Sequence, residues 1–260
     1  MSHFRTTVLR GFEFKKKDTI IHRLDPRAKA VYVFVMSAIT LLFTTPIPII
    51  MTFLSSLIVV VFAKVVREWS STMKGVIILS LFIFVVNYLV APTDKLNYAV
   101  SMTMRLIALT SIFSIFFLTT SPEDFSLALL KLGVPYEYTL IFTMALRFIP
   151  TLAKDLQMII DAQRSRGLEL EKGNIIQRIK RFLPILVPLV IYEIKRSFMV
   201  AEALEARAFG AVESRTYFYE IRMKLIDWAL STSLIISLVL ILYLYFMNIL
   251  PEWLFWKVPG

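Results

Sequence analysis

The sequence contains no cysteine, which excludes disulfide bonds, thiolate metal sites and thiol nucleophiles. Its two histidines, His3 and His22, leave little scope for imidazole chemistry. Glycine is also scarce, with 7 residues in 260, and the phosphate-binding pattern Gly-x-x-x-x-Gly-Lys-Ser/Thr is absent. The chain is therefore not expected to hydrolyse ATP, and energy from a nucleotide would have to come from a partner protein.

Apolar residues dominate what is present. They make up 57% of the chain, and the mean hydropathy of +0.70 exceeds what the core of a water-soluble domain requires. This composition predicts an all-α integral membrane protein with about five transmembrane helices. The formal net charge of +10 shows that the polar parts are basic. The first 27 residues hold no apolar run like the core of a signal peptide, so we expect no cleavage there.

The apolar stretches define the predicted membrane spans. Between Lys29 and Lys64 lie 34 uncharged residues, which as one helix would be about 51 Å long, against about 30 Å of hydrocarbon. We therefore expect this stretch to fold back at Pro46 and Pro48 as a tight hairpin. Four predicted spans are near 28–45, 47–63, 75–91 and 97–120, and the fifth lies between Asp227 and Glu252.

The distribution of positive charge orients these spans. With the N-terminus in the cytoplasm, 26 of the 29 Lys and Arg residues lie inside, and Lys95 and Lys257 lie outside. The prediction is a multi-pass membrane protein with a cytoplasmic N-terminus and an external C-terminus. The expected parts are a cytoplasmic segment (1–27), a four-helix membrane region (28–120), a cytoplasmic module of long helices (121–224), a fifth span (225–251) and an external tail (252–260).

The region 121–224 is predicted to form long helices with apolar faces. Proline and glycine delimit helices at about 122–132, 136–166 and 174–208, with Ser121 capping the first and Gly167 ending the second. The apolar stretches 138–146 and 182–192 are too short to cross a membrane. Pro150, Pro184 and Pro188 are expected to bend the two longer helices. One interpretation is that these helices only lie on the inner leaflet.

Both longer helices end in arginine followed by a helix-terminating region. The two segments read AQRSRG at 162–167 and ALEARAFG at 203–210. A guanidinium at a helix end can cover the terminal carbonyls and stabilise the helix dipole. It can also offer a planar fork of donors to a carboxylate on another protein. The repetition of similar segments favours docking at least as much as simple capping.

These blocks resemble the transmembrane T component of energy-coupling factor (ECF) transporters, the CbiQ-like family of vitamin and metal-ion importers. The similarity covers nearly the whole chain, in several separate blocks that occur in the family's order. The blocks are IHRLDPRAKA at 21–30, TTSPEDF at 119–125, LRFIPTLAKDLQMIIDAQRSRG at 146–167, GNIIQRIKRFLPILVPL at 173–189 and ALEARAFG at 203–210 with Arg215 and Thr216.

The resemblance implies that the chain lies in a prokaryotic plasma membrane, and it implies the partners of the chain. In that family the T protein is a non-catalytic scaffold whose two Ala-Arg-Gly-type motifs dock into two ATP-binding-cassette ATPases. A separate membrane protein, the S component, binds the vitamin or transition-metal ion. No cofactor or metal is then expected on this chain, since ATP and Mg would be bound by the ATPases. The lipid bilayer is a further partner, and the spread of charge along an inner membrane face argues against nucleic-acid binding.

The family motifs map onto particular residues here. The ATPase-coupling motifs correspond to Arg164, Ser165, Arg166, Gly167, Ala206, Arg207 and Ala208. Ser165 and Ala208 depart from the strict pattern, and the loss of glycine at 208 is expected to move the helix stop to Gly210. Candidate contacts of the S component are Phe142, Met144, Leu183, Leu186 and Leu189.

Three alternatives from other classes stay open at this point. A membrane-embedded enzyme would need paired acids or a metal cluster at membrane depth, and the predicted spans have no acid in their uncharged cores. A self-contained channel or secondary transporter would use ionisable residues in the spans, where Arg105 is the one candidate. A conventional cassette importer permease would usually present one coupling loop, whereas this chain has two arginine-bearing ends.

Overall fold

The computed structural model describes residues 19–91, 94–168, 175–211 and 221–247, with Ile249, Pro251 and Leu254. In the range 175–211, side chains are described from Lys180 onward. The described residues form helices and no strand, which confirms the all-α class. The helices are α1 Pro26–Leu42, α2 Pro46–Ala63, α3 Val66–Val90, α4 Lys95–Thr119, α5 Pro122–Lys131, α6 Tyr136–Ser165, α7 Ile175–Glu205 and α8 Leu225–Phe246.

Four of the described helices, α2, α3, α4 and α8, are long and apolar enough to cross a membrane. The first expected span, near 28–45, falls on α1, which is shorter, with 17 residues, and includes Arg27 and Lys29. A helix of 17 residues is about 26 Å long, at the lower limit for a crossing. The third expected span begins at Gly75, whereas α3 begins at Val66. Hydropathy does not mark the first turns of α3, because they carry polar residues.

Local chemistry explains where several helices begin. The Asp25 side chain accepts a hydrogen bond from the Arg27 backbone N–H, and Pro26 occupies the first turn of α1. The Ser121 hydroxyl accepts the Asp124 backbone N–H at 3.0 Å, which confirms the expected cap of α5. The hairpin between α1 and α2 lies where Pro46 was expected to force it.

The segment at 24–27, which reads LDPR, joins the start of α1 to the start of α8. Asp227, which is 2% exposed, accepts the Asp25 backbone N–H at 3.1 Å and the Lys224 backbone N–H at 2.8 Å. Asp25 also forms an ion pair with Arg27 at 3.2 Å. The buried carboxylate of Asp227 therefore satisfies two backbone donors at once and fixes two helix ends together.

Lys29 ties the same end of α1 to α4. Its buried ammonium donates to the Thr119 carbonyl at 2.7 Å, in the last turn of α4. The last carbonyls of a helix lack partners within the helix and carry the negative end of its dipole. A cation at this point satisfies one of these carbonyls and links two helices.

Arg105 has a structural contact within the helices. Its guanidinium donates to the backbone carbonyl of Phe43 at 2.7 Å, just after the end of α1, and also approaches the Met102 sulfur at 3.5 Å. Phe43 packs edge-on against Tyr245 of α8, with 5.7 Å between ring centroids. Arg105 thus makes a structural contact with the end of a neighbouring helix.

The chain divides into two compact units. One, which we name the membrane unit, contains α1–α5 and α8, and the other, the hairpin unit, contains α6 and α7. The division falls after residue 134, and within the membrane unit α5 packs against α1. The helix bounds expected for 122–132, 136–166 and 174–208 agree closely with α5, α6 and α7.

Candidate functional site

The first arginine-bearing end closes α6 with a left-handed turn. The Gly167 N–H donates to the Arg164 carbonyl at 2.9 Å, and the Leu168 N–H donates to the Gln163 carbonyl at 3.0 Å. Gly167 has φ +86°, the left-handed conformation that was expected there. This pair of bonds is the Schellman motif, in which the residue before the left-handed position is Arg166.

The second arginine-bearing end repeats this geometry at Ala208. The Ala208 N–H donates to the Glu205 carbonyl at 2.8 Å, and the Phe209 N–H donates to the Leu204 carbonyl at 3.0 Å. Ala208 itself takes φ +58°. The helix therefore ends at Glu205, and the left-handed turn is made at Ala208. The sequence predicted instead that the helix stop would move to Gly210. The motif's hydrogen bonds offset the cost of alanine in the left-handed region.

The two ends are equivalent in backbone position. Arg166 and Arg207 each directly precede the left-handed residue, and an apolar residue follows it, Leu168 or Phe209. The same motif closes α5 at Gly133, but there the arginine position is held by Leu132. The shared turn is thus a common helix ending, and the arginines are what distinguish these two ends.

The left-handed alanine makes a stability prediction. Ala208→Gly is expected to stabilise the protein by up to about 1 kcal/mol, because glycine adopts a positive φ without a Cβ penalty. Ala206→Gly is the matched control, since Ala206 still makes a helical bond to the Glu202 carbonyl and should lose about 0.5–1 kcal/mol instead. Thermal denaturation in detergent measures both. Equal destabilisation by the two glycines would contradict the left-handed assignment.

The arginine side chains are available to a partner. Arg166 and Arg207 are exposed and Arg164 is half-buried, and in the described part of the chain none of the three forms an ion pair. The Ser165 hydroxyl donates to the Asp161 carbonyl at 3.0 Å, so it is satisfied within α6. Each end therefore presents a guanidinium with its donors directed to solvent rather than to a neighbouring acid.

The contacts between α6 and α7 show that the two helices are antiparallel. Tyr136 packs against Phe209, with ring centroids 6.2 Å apart, the Asp155 carboxylate binds Arg196, and Gln163 binds the Pro184 carbonyl. Along this series, the residue number rises in α6 and falls in α7. The two arginine ends therefore lie at opposite ends of the hairpin unit, whose α6 has 30 residues and a length of about 45 Å.

The hairpin unit exposes a large apolar surface. Of the expected partner-contact residues, Phe142 is 37%, Leu183 52% and Leu186 55% exposed, while Met144 and Leu189 are half-buried. Further exposed apolar side chains, which the sequence reasoning did not select, follow helical spacing along α7. They are Val187, Val190, Ile191, Ile194 and Phe198. The recurrence at intervals of three and four residues could have identified them. A surface of this size indicates contact with lipid or another protein.

A cluster around Arg196 was not foreseen from the sequence. Its guanidinium binds Asp155 of α6 at 2.7 Å and Glu193 of α7 at 2.9 Å, and it lies 4.9 Å from the centroid of the Tyr192 ring. The hydrogen bond that its guanidinium donates to the Asp155 carboxylate raises the pKa of Arg196 above its ordinary value. The residues 155 and 196 are far apart in the chain, so no local spacing signals the pair.

The prolines of α7 free a backbone carbonyl that Gln163 satisfies. Pro188 has no N–H to donate to the Pro184 carbonyl, four residues earlier, as a continuous helix requires. The Gln163 amide donates to this carbonyl at 3.0 Å. Gln163 also provides a carbonyl to the turn that presents Arg166. The first arginine end is thereby attached to the proline-containing part of α7.

This assignment predicts a specific non-additive effect. Gln163→Leu is expected to cost about 0.5–1.5 kcal/mol, because the Pro184 carbonyl loses its protein donor. In a Pro188→Ala background the same change should cost close to nothing, because the alanine N–H restores the helical bond. Thermal denaturation of the four chains measures the cycle. An equal loss in both backgrounds would show that Gln163 does not compensate for Pro188.

Comparisons with known proteins agree with these features. The CbiQ family model, described as a cobalt transport protein, matches residues 17–218. The energy-coupling factor transporter transmembrane protein EcfT of Staphylococcus aureus is 32% identical over 251 residues, covering 87% of this chain and 92% of its own. EcfT of Clostridium kluyveri is 34% identical over 245 residues, covering 82% and 88%. The chain therefore belongs to the CbiQ family and is the transmembrane component of an energy-coupling factor transporter.

Proposed function

We propose that this chain transmits the motion of two ATP-binding-cassette ATPases to a substrate-binding S component, for uptake of a vitamin or a transition-metal ion. As a transmembrane component it is a non-catalytic subunit, and ATP and Mg would be held by the ATPases. The observation that carries the proposal is the pair of equivalent arginine turns, one at each end of an antiparallel helical hairpin. Two similar docking ends suit two similar motor subunits.

Arg166 and Arg207 are the principal docking residues in this proposal. Each guanidinium would make a bidentate contact with a carboxylate on an ATPase, at the exposed end of a long helix. Arg164 would support the first end. The small residues Ser165, Gly167, Ala206 and Ala208 would let the partner's surface approach the turn closely.

The apolar surface of the hairpin unit would bind the S component. Phe142 and Met144 on α6 and Leu183, Leu186 and Leu189 on α7 are the proposed contacts, extended by the exposed Val187 and Ile194. Apolar contact without fixed polar pairs would allow the S component to be displaced when the hairpin changes shape.

The proposed motion begins at the two ATPases. ATP binding would draw the two ATPases together, and each would carry one arginine end with it. Because α6 and α7 are long helices that remain helical through their prolines, the displacement would pass along them to the apolar surface. Pro150, Pro184 and Pro188 interrupt the backbone ladder and would let the helices bend at fixed points.

The proposed orientation follows from charge. An excess of Lys and Arg at the N-terminus and between the apolar spans supports a cytoplasmic N-terminus and an external C-terminus in the plasma membrane. The hairpin unit would then face the cytoplasm, where the ATPases are. Arg105, the residue that a self-contained transporter would use, instead donates to the Phe43 carbonyl.

Gentle purification of the tagged chain from its native membrane tests the proposal. We expect two cassette ATPase chains and a small membrane protein to accompany it, and the ATPases to be lost from Arg166→Ala/Arg207→Ala. Lys154→Ala/Lys195→Ala is the matched control, since it removes two exposed cations from the same helices away from their ends. Recovery of the chain alone, with autonomous transport in liposomes, would overturn the proposal.

A further inference from the structure

The Asp155 and Arg196 pair occupies a central place in the hairpin unit. Asp155 precedes Arg166 by 11 residues, and Arg196 precedes Arg207 by 11 residues. At about 1.5 Å per residue, the pair lies about 16 Å along each helix from its arginine end. Because α6 and α7 are antiparallel, the two ends extend from the pair in opposite directions, which places it at the midpoint between them.

The pair is also tightly held. Asp155 is 9% exposed, and its carboxylate meets the Arg196 guanidinium at 2.7 Å. The same guanidinium is restrained by Glu193 at 2.9 Å and by the face of the Tyr192 ring. Three restraints on one planar group fix its position relative to both helices.

Stability alone does not account for an ion pair at this point. Replacing a buried ion pair with apolar residues of similar volume is often neutral or stabilising, because the charges no longer need to be desolvated. An ion pair adds a fixed relative position of the two helices, because the pair forms at one position only and is lost when the helices slide.

We propose that Asp155 and Arg196 are a positioning pair that fixes the crossing of α6 and α7 midway between the two docking arginines. The inference rests on the proposed coupling function and gives it a mechanical element. With the crossing fixed, displacement of one end turns the hairpin about this point. Without it, the helices slide past each other and the displacement does not reach the apolar surface.

The experiment measures the crossing directly in the full-length chain. The chain has no cysteine, so Ala162→Cys and Ala203→Cys introduce the two spin-label sites, each four residues before a docking arginine and exposed. The two labelled positions are about 21 Å apart along the hairpin axis, since each is 7 residues from the pair. Electron–electron distance measurement in lipid nanodiscs is expected to give one narrow distribution for the parent chain.

The test variant is Asp155→Leu/Arg196→Leu, which removes both charges of the pair. We expect it to fold and to bind the ATPases, to show a clearly broadened distance distribution, and to lose at least about tenfold in uptake per ATP hydrolysed. Arg196→Lys retains the charge and one contact and should recover part of the narrow distribution. Asp155→Asn, which keeps the shape of the side chain, should broaden the distribution as well and serves if the leucine variant does not fold.

Two results would overturn the inference. One is a narrow distribution in the leucine and asparagine variants, which would show that the helices are positioned without the pair. The other is a broad distribution with normal uptake per ATP hydrolysed, which would show that a fixed crossing is not needed. The distance measurement requires no ATPase, so failure of the proposed function, seen as normal uptake in Arg166→Ala/Arg207→Ala, is distinguished from failure of this inference.

Discussion

Uptake by the assembled transporter is expected to fall to background when Arg166 and Arg207 are both replaced by alanine. A hydrogen-bonded charge contributes about 1.5–3 kcal/mol, which corresponds to roughly 10-fold to more than 100-fold in the affinity of each end for its ATPase. The helix ends themselves should persist, because the backbone bonds of both turns do not involve the arginine side chains. Uptake in vesicles, normalised to the amount of chain in the membrane, measures the effect.

Single variants sharpen this prediction. Because the two turns are geometrically equivalent, Arg166→Ala and Arg207→Ala should each reduce uptake by a similar factor, at least about tenfold. Lysine at either position keeps the charge without the planar fork, so intermediate uptake is expected. The control Lys154→Ala/Lys195→Ala should transport normally. Normal uptake by the double arginine variant in an intact complex would refute the assignment of the two arginines.

Local sequence signals were sufficient for the helices of the 121–224 region. Proline and glycine confine their ends, so the expected helix at 136–166 and the observed α6, Tyr136–Ser165, agree within a residue. Both arginine ends were likewise recognisable as short segments. Their equivalence was not, because sequence rules assign a left-handed turn to glycine, and Ala208 adopts one only because its neighbours complete the same hydrogen bonds.

Long-range pairs could not be predicted in the same way. Asp25 and Asp227 are 202 residues apart, and their hydrogen bond depends on how α1 and α8 are packed. The Asp155 and Arg196 pair depends on the antiparallel arrangement of α6 and α7, which neither helix encodes by itself. The number of membrane spans was also hard to predict, since α1 has only 17 residues and its N-terminal end is held by the Asp25 cap and by the bond from Lys29 to the Thr119 carbonyl.

The link between Asp25 and Asp227 leads to the largest expected effect on stability. Asp227→Leu leaves the buried backbone N–H of Asp25 without an acceptor, and it also removes the acceptor of the exposed Lys224 N–H. An unsatisfied buried donor costs about 1–3 kcal/mol and the loss of an accessible hydrogen bond about 0.5–1.5 kcal/mol, so a loss of about 1.5–4.5 kcal/mol is expected. Asp227→Asn keeps the side-chain shape, but it replaces one of the two acceptor oxygens with an amide nitrogen, which donates. Only one of the two backbone N–H groups then keeps an acceptor. We therefore expect the asparagine variant to lose about half as much.

Thermal denaturation in detergent, together with the amount of chain recovered from membranes, measures this loss. Asp161→Leu is a suitable control, since Asp161 is exposed on α6 and its carboxylate accepts only the Gln157 side-chain amide among the hydrogen bonds described for it. The order of stability should be wild type, then Asp227→Asn, then Asp227→Leu, with the control close to wild type. A leucine variant as stable as its control would contradict this prediction. It would mean that apolar packing, such as that of Phe43 on Tyr245, holds α1 and α8 together. The bond between Asp227 and the LDPR segment would then contribute nothing measurable to stability.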